Sequence, residues 1–295
     1  MTCLAKLLMP HRIISIVGMD KNTGKTTVLN YLAETFNKYG IKLLLTGIGR
    51  DGEDCDIVTG TAKPRIFVQS GTTIITAEGL LGLCDITKEI VKVTDYHTAM
   101  GRVVVVVAKS DGFVQIGGPS ALSQLDELLN EVDVCDNIKF IIDGAISRKS
   151  LARLGDAVVL CAGAGQNSDI KKVIAETSHA VKMLTLSMPP KDAKHICFEG
   201  AVSDKRLLEL INSGTDLKGV YIVADDPGKI FIKPETYEKL LIKKGMLTVK
   251  TPVNLAAVTI NPVSARGYAF DADEFLVKMS AALPVPVFNV KVLQR

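Results

Sequence analysis

An almost wholly apolar run, Ile13-Ile14-Ser15-Ile16-Val17, stops at Gly18, and after five further residues comes Gly24-Lys25-Thr26-Thr27. No other stretch restricts the fold as much. A strand this apolar is covered on both faces, which calls for a parallel sheet with helices on either side. Downstream, Leu29, Leu32 and Phe36 recur at helical spacing, Asn30 and Glu34 fall on the other side, and Gly40 stands where a left-handed helix stop belongs. Ile41 to Thr46 is again a buried-strand run, so one strand-loop-helix-strand unit is expected here.

The loop of that unit suits phosphate. Backbone N–H groups converge at a helix N-terminus, where the helix dipole adds partial positive charge. In such a loop Lys25 reaches the β- and γ-phosphates and the Thr26 hydroxyl holds Mg²⁺. The nucleotide-binding candidates are Asp20, Lys21, Asn22, Thr23, Gly24, Lys25, Thr26 and Thr27. A surface turn carrying Gly-Lys-Thr by chance is the competing account, but it would need no buried strand on each side.

Composition sets outer bounds. In 295 residues, 47% are hydrophobic and mean hydropathy is +0.25, enough for a large α/β domain with an extension. Some apolar surface is expected to be covered by a second copy in a homo-oligomer. A net charge of +3, with basic residues scattered among acids, forms no stripe for nucleic acid. Apolar runs such as Val103 to Ala108 fall far short of the roughly 20 residues of a membrane span. Met1 to Pro10 lacks the head and cleavage region of a leader and reads as a lead-in to the first strand. Cys3, Cys55, Cys84, Cys135, Cys161 and Cys197 form no Cys-x-x-Cys pair, and their mostly apolar surroundings suit reduced core thiols of a cytoplasmic protein. His195 with Cys197 has no second pair at ligand spacing, so core packing is the simpler account than metal.

Acidic residues elsewhere bear on the loop. The second strand leaves through Gly49-Arg50-Asp51-Gly52-Glu53-Asp54, at the sheet edge where ligands bind. Asp51 and Asp54 are candidate Mg²⁺ ligands, or members of a solvated acidic turn. Lys139-Phe140-Ile141-Ile142-Asp143-Gly144 is a second buried run ending in a carboxylate. Beside a phosphate loop, Asp143 would hold Mg²⁺ or orient an attacking water, though Asp-Gly is also a common turn. Beyond it, Arg148 and Lys149 either meet phosphate or an acidic partner, or sit at a solvated helix start.

Between about 55 and 118 the short β-type runs 65–68, 72–76, 86–94, 102–108 and 113–116, with a hairpin signal at Ser110-Asp111-Gly112, predict an antiparallel insertion. Gly117 and Gly118, ahead of a helix marked by Leu122, Leu125, Leu128 and Leu129, serve either a tight turn or a second anion. A strand at 156–162 leaves through Gly163 and Gly165, a helix follows at 168–181, 183–187 reads as a strand, and Pro189-Pro190 is the clearest punctuation. Beyond it, Ser203 caps a helix to Asn212, Val220 to Ala224 is a strand, and Pro234 opens a helix ending near Gly245. Leu255 to Ile260 is a strand, Asp271 and Glu274 open the last helix, and Pro284 to Val290 reads as an edge strand. No internal repeat is visible. The expected organisation is a nucleotide-binding domain over 1–188 with the β-rich insertion, then an α/β region over 189–295 that can continue the same domain.

The spacing of Gly18, Asp20 and Gly24-Lys25-Thr26 resembles dethiobiotin synthetase and its relatives among the P-loop proteins of the signal-recognition and Min ATPase class. The resemblance implies a mostly parallel P-loop NTPase sheet flanked by helices, ATP with Mg²⁺, and an aspartate at Asp51 or Asp54 in the metal shell. It also implies that Asn261 reads adenine through paired hydrogen bonds, where an Asn-Pro turn would explain the same residue structurally. Many relatives carry a signature lysine early in the loop; this chain has Asp20 there, with Lys21 next. A looser likeness, over Asp20 to Thr27, Gly49 to Gly52, Ile116 to Ser120 and Asp143 to Lys149, is to the small reactivase subunits of adenosylcobalamin-dependent aminomutases, notably lysine 5,6-aminomutase. It implies a nucleotide-driven helper that releases damaged cobalamin from a mutase partner.

Three functions follow. One is an ATPase, with Lys25 and Asp143 catalytic, whose hydrolysis acts on a protein partner. Another is an ATP-dependent ligase or kinase acting on a small carboxylate, and the third a nucleotide-binding regulator without turnover. The chain exceeds what a compact ligase needs and shows no obvious carboxylate clamp, which favours the first. Nothing in the residues selects adenine over guanine, so GTP stands beside ATP.

Overall fold

A computed structural model describes residues 3–48, 65–132, 138–145 and 155–293. The apolar run becomes β1 (Ile13–Gly18), after a short α1 (Cys3–Leu8) and before α2 (Lys25–Lys38) and β2 (Lys42–Gly47), which is the unit expected from the sequence. Then come β3 (Ile66–Val68), β4 (Thr73–Ala77), β5 (Lys88–Thr98), β6 (Gly101–Ala108), β7 (Gly112–Val114) and α3 (Leu122–Val132). They are followed by β8 (Ile138–Ala145), β9 (Ala157–Gly163) and α4 (Ile170–Leu184). A further group holds β10 (His195–Cys197), β11 (Val202–Ser203), α5 (Asp204–Asn212), β12 (Tyr221–Ala224), β13 (Ile230–Phe231), α6 (Pro234–Ile242) and β14 (Met246–Val249). The chain closes with β15 (Leu255–Asn261), α7 (Ala272–Ala282), β16 (Val287–Asn289) and α8 (Val290–Leu293).

Nine strands share one sheet in the order β16-β15-β9-β1-β8-β2-β4-β6-β5. Neighbours from β16 to β4 are parallel, and β6 is antiparallel to both β4 and β5. Parallel strands need cover on both faces. Leu4 and Leu8 of α1, Leu29, Leu32 and Phe36 of α2, and Val290 of α8 supply it on one face. Leu125 and Leu128 of α3, Val181 of α4, and Phe275 and Met279 of α7 supply it on the other. The protein is thus α/β, with a large, mostly parallel central sheet flanked by helices.

The N-terminal lead-in is itself part of the core. Leu4, Ala5 and Leu8 are fully buried, and Lys139 closes the end of α1 by donating from Nζ to the carbonyls of Met9 (3.0 Å), Leu8 (3.4 Å) and His11. Burial lowers the Lys139 pKa, against the opposing charge of Asp156.

From residue 65 onward the expected antiparallel insertion is present, and most of it widens the main sheet: β4, β6 and β5 form its edge, while β3 and β7 pair separately. The hairpin lies elsewhere than the Asp-Gly signal placed it. The chain reverses between β5 and β6, where Gly101 takes φ +96°. Ser110 and Asp111 instead accept hydrogen bonds from the N–H groups of Thr87 (2.9 Å) and Ser70 (2.8 Å).

Met183 and Leu184, read as strand, end α4, continuing the buried stripe of Val173, Thr177, Ala180 and Val181. Past them, β10, β12 and β14 form a separate three-stranded parallel sheet with its own core, including Phe198, Leu207, Ile222, Leu240 and Leu247. Residues 195–212 and 221–242 each run strand, short strand, helix, and the two short strands pair with each other. This repeat of structure has no counterpart in residue identity. β15 and β16 then rejoin the main sheet. The region beyond 189 is therefore two pieces: a small sheet inserted after α4, and the last two strands of the large one.

Candidate functional site

β1 ends with Gly18 beside Ala145 of β8 and Cys161 of β9, and residues 19–24 turn the chain into α2. Two residues in this turn take left-handed backbone, Asn22 (φ +59°) and Gly24 (φ +94°). Gly24 is the N-cap of α2 and has no side chain to accept the first N–H groups. By contrast α4, α5 and α7 are capped by the side chains of Asp169, Ser203 and Asp271. The start of α2 thus presents donors and the positive end of its dipole to whatever enters the turn.

Lys25 folds back across that turn. Its Nζ donates to the Asp20 carbonyl at 3.1 Å, and the Thr23 hydroxyl donates to the same oxygen at 3.0 Å. The Asp20 carboxylate accepts from the Lys21 N–H at 2.7 Å. One neutral carbonyl therefore holds the ammonium over the turn, and an anionic acceptor would bind it more strongly. Thr26 and Thr27 follow in the first turn of α2, both half-buried, and Lys21 is exposed.

Asp143 stands one strand away, in register with Ile16 of β1 and Gly47 of β2. β8 continues two residues past it, so the carboxylate lies within the strand and not at its tip. The residue keeps some exposure, but Oδ1 is buried with no hydrogen-bond partner among the described residues. Burial raises its pKa, opposed by the positive charge of Lys25 and the N–H of Gly144. A carboxylate oxygen buried without a donor is costly unless something else satisfies it. An oxygen-seeking cation does so, and the Thr26 hydroxyl is of the right chemistry to share it. Both side chains carry oxygen donors of the kind Mg²⁺ takes. Asp51 and Asp54, and likewise Arg148 and Lys149, lie outside the described residues.

Gly118 serves the tight turn. Its N–H donates to Gly47 O at 3.0 Å, and a Cβ there would stand 2.3 Å from that oxygen and 2.6 Å from the Thr46 hydroxyl. Asn261, at the end of β15, has its amide turned to the chain: Nδ2 donates to Asn22 O at 3.1 Å and Oδ1 accepts from Val263 N at 3.2 Å. One N–H of Nδ2 and one lone pair of Oδ1 are thus engaged within the chain.

Cys161 is a core thiol as expected, pushed up to about 12 by burial, and its carbonyl accepts from Met19 N at 2.8 Å. Its place in the wall of the turn has no local signature. Gly163 and Gly165 were legible only as a glycine-rich exit. A Cβ on Gly165 would meet Lys21 O at 2.8 Å, so that exit packs against the turn from the β9 side. His195 and Cys197 are exposed on β10, which corrects the core reading for this pair. Among the described residues no group of three or more His, Cys, Asp or Glu is placed to hold a metal. None of the described helices is long and apolar enough to cross a membrane.

The chain matches no protein-family model and no curated protein.

Proposed function

We propose that this protein binds a nucleoside triphosphate with Mg²⁺ in the turn between β1 and α2, and hydrolyses it in a cycle that acts on a protein partner. The observation supporting this reading is the Lys25 ammonium lying across the turn, its Nζ bonded to Asp20 O, with the buried Oδ1 of Asp143, which has no partner among the described residues, on the adjacent strand. Lys25 and the first N–H groups of α2 bind the β- and γ-phosphates and offset the charge that develops on the transferring phosphoryl group. Thr26 and Asp143 would hold Mg²⁺, which when bound polarises the phosphate oxygens as a Lewis acid. Burial raises the Asp143 pKa, and the charge of Lys25 opposes that rise. ATP is the nucleotide the resemblance implies, with GTP as the alternative substrate. By the looser resemblance, the partner is a cobalamin-dependent aminomutase and this protein its reactivase.

Phosphate release measured with the protein alone, with candidate protein partners and with small carboxylic acids tests the reading. Turnover that rises only with a protein supports it. Turnover that depends on a small carboxylate makes the protein a ligase or kinase, and nucleotide bound but never consumed makes it a regulator.

A further inference from the structure

We infer that Asn261 is a positioning residue: it fixes the shape of the phosphate turn from the neighbouring strands and does not contact the base. The inference rests on the function proposed above. Asn22 takes a left-handed conformation, φ +59°, that few residues other than glycine adopt. Its carbonyl is held there by Asn261 Nδ2 at 3.1 Å. The other end of the same amide accepts from Val263 N at 3.2 Å, and the Asn261 carbonyl accepts from Ala164 N at 2.9 Å. Asn261 therefore joins three chain segments: the turn, the exit of β15 and the exit of β9.

The surroundings leave little room for another arrangement. A Cβ on Gly163 would stand 2.5 Å from Asn261 O, and one on Gly24 would stand 3.4 Å from both Asn261 Cβ and Val290 Cγ1. The turn is thus backed by the end of β15 and the start of α8. With Asn22 held left-handed, the amides that follow it, at Thr23, Gly24 and Lys25, are aimed before any ligand arrives. Such preorganisation is what a phosphate cradle needs.

Titration calorimetry of the full-length wild type, Asn261→Ala, Asn261→Asp and Lys25→Ala, with Mg-ATP and with Mg-tripolyphosphate, tests this. Asn261→Ala should weaken both ligands by a similar factor, about three- to tenfold, the scale of one hydrogen bond, with binding stoichiometry unchanged. Asn261→Asp keeps the acceptor for Val263 N but loses the donor to Asn22 O, so it should lose at least as much. A loss for Mg-ATP without a loss for tripolyphosphate would mean a base contact and overturn the inference, as would wild-type affinity in Asn261→Asp. Tripolyphosphate binding that is absent, or equal in wild type and Lys25→Ala, overturns the phosphate turn itself, and the inference with it.

Discussion

The Nζ of Lys25 occupies the space that a side chain on Gly18 would need: a Cβ on Gly18 would stand 2.5 Å from Nζ and 2.8 Å from the Thr23 hydroxyl. Gly18 is required for room and not for a left-handed backbone. The flexible lysine can yield where the strand cannot, so Gly18→Ala should fold with little change in thermal midpoint. Its nucleotide affinity should nonetheless fall about ten- to hundredfold, the worth of a displaced charge-assisted hydrogen bond. Thermal melts and calorimetry on one preparation check this, and unchanged affinity would show that the space beside Gly18 does not limit how Lys25 reaches phosphate.

Asp143→Asn separates folding from metal use. Because Oδ1 is buried and unpartnered among the described residues, removing its charge should leave the nucleotide-free protein as stable as wild type or more so. In wild type, Mg²⁺ should add to the rise in thermal midpoint produced by ATP. In the variant that addition should vanish and turnover should drop. A variant that keeps the Mg²⁺ effect refutes Asp143 as a ligand.

A pH effect is expected away from the site. The Phe113 N–H at 2.7 Å, and then the Arg65 guanidinium at 2.9 Å, hold the Asp85 carboxyl below the usual carboxylate range. A depressed native pKa stabilises the fold above the unfolded value, near 4, and that stability is lost as pH falls through the native value. The wild type should therefore melt slightly higher than Asp85→Asn at neutral pH, and the two should converge in acid. A gap that widens in acid contradicts the sign.

Thiol labelling tests the cysteine placements. Cys197 is exposed, whereas Cys161 is buried with its pKa pushed up to about 12. Iodoacetamide on the native protein should modify Cys197 well before Cys161, by peptide mass mapping, since the thiolate is the nucleophile. Labelling of both at similar rates would mean that the wall of the turn opens readily.

Local signals explain what the sequence disclosed. Gly18, Gly24 and the period of Leu29, Leu32 and Phe36 act within one turn or helix, so the β1–α2 unit was readable from end to end. The side-chain caps Ser203 and Asp271 were readable for the same reason. Asp143 was recognisable as a carboxylate on a buried strand, but its register against Ile16 and Gly47 depends on which strands become neighbours. The short apolar stretch at Met183 suits strand and helix alike, and only packing onto the sheet decides it. β11 and β13 have two residues each, too few for any period, which concealed the repeat in the small sheet. Asn261 finds its partner Asn22 at a separation of 239 residues, beyond the reach of any local pattern.

The central claim is that triphosphate and Mg²⁺ occupy the turn from Gly18 to Lys25. A crystal structure grown with a non-hydrolysable ATP analogue and Mg²⁺ tests it most directly. The expected result is phosphate density inside the turn, with Lys25 Nζ moved from the Asp20 carbonyl onto a phosphate oxygen and the metal between Thr26 and Asp143. Nucleotide bound elsewhere, or a turn left empty and unobstructed at saturating ligand, would contradict the account.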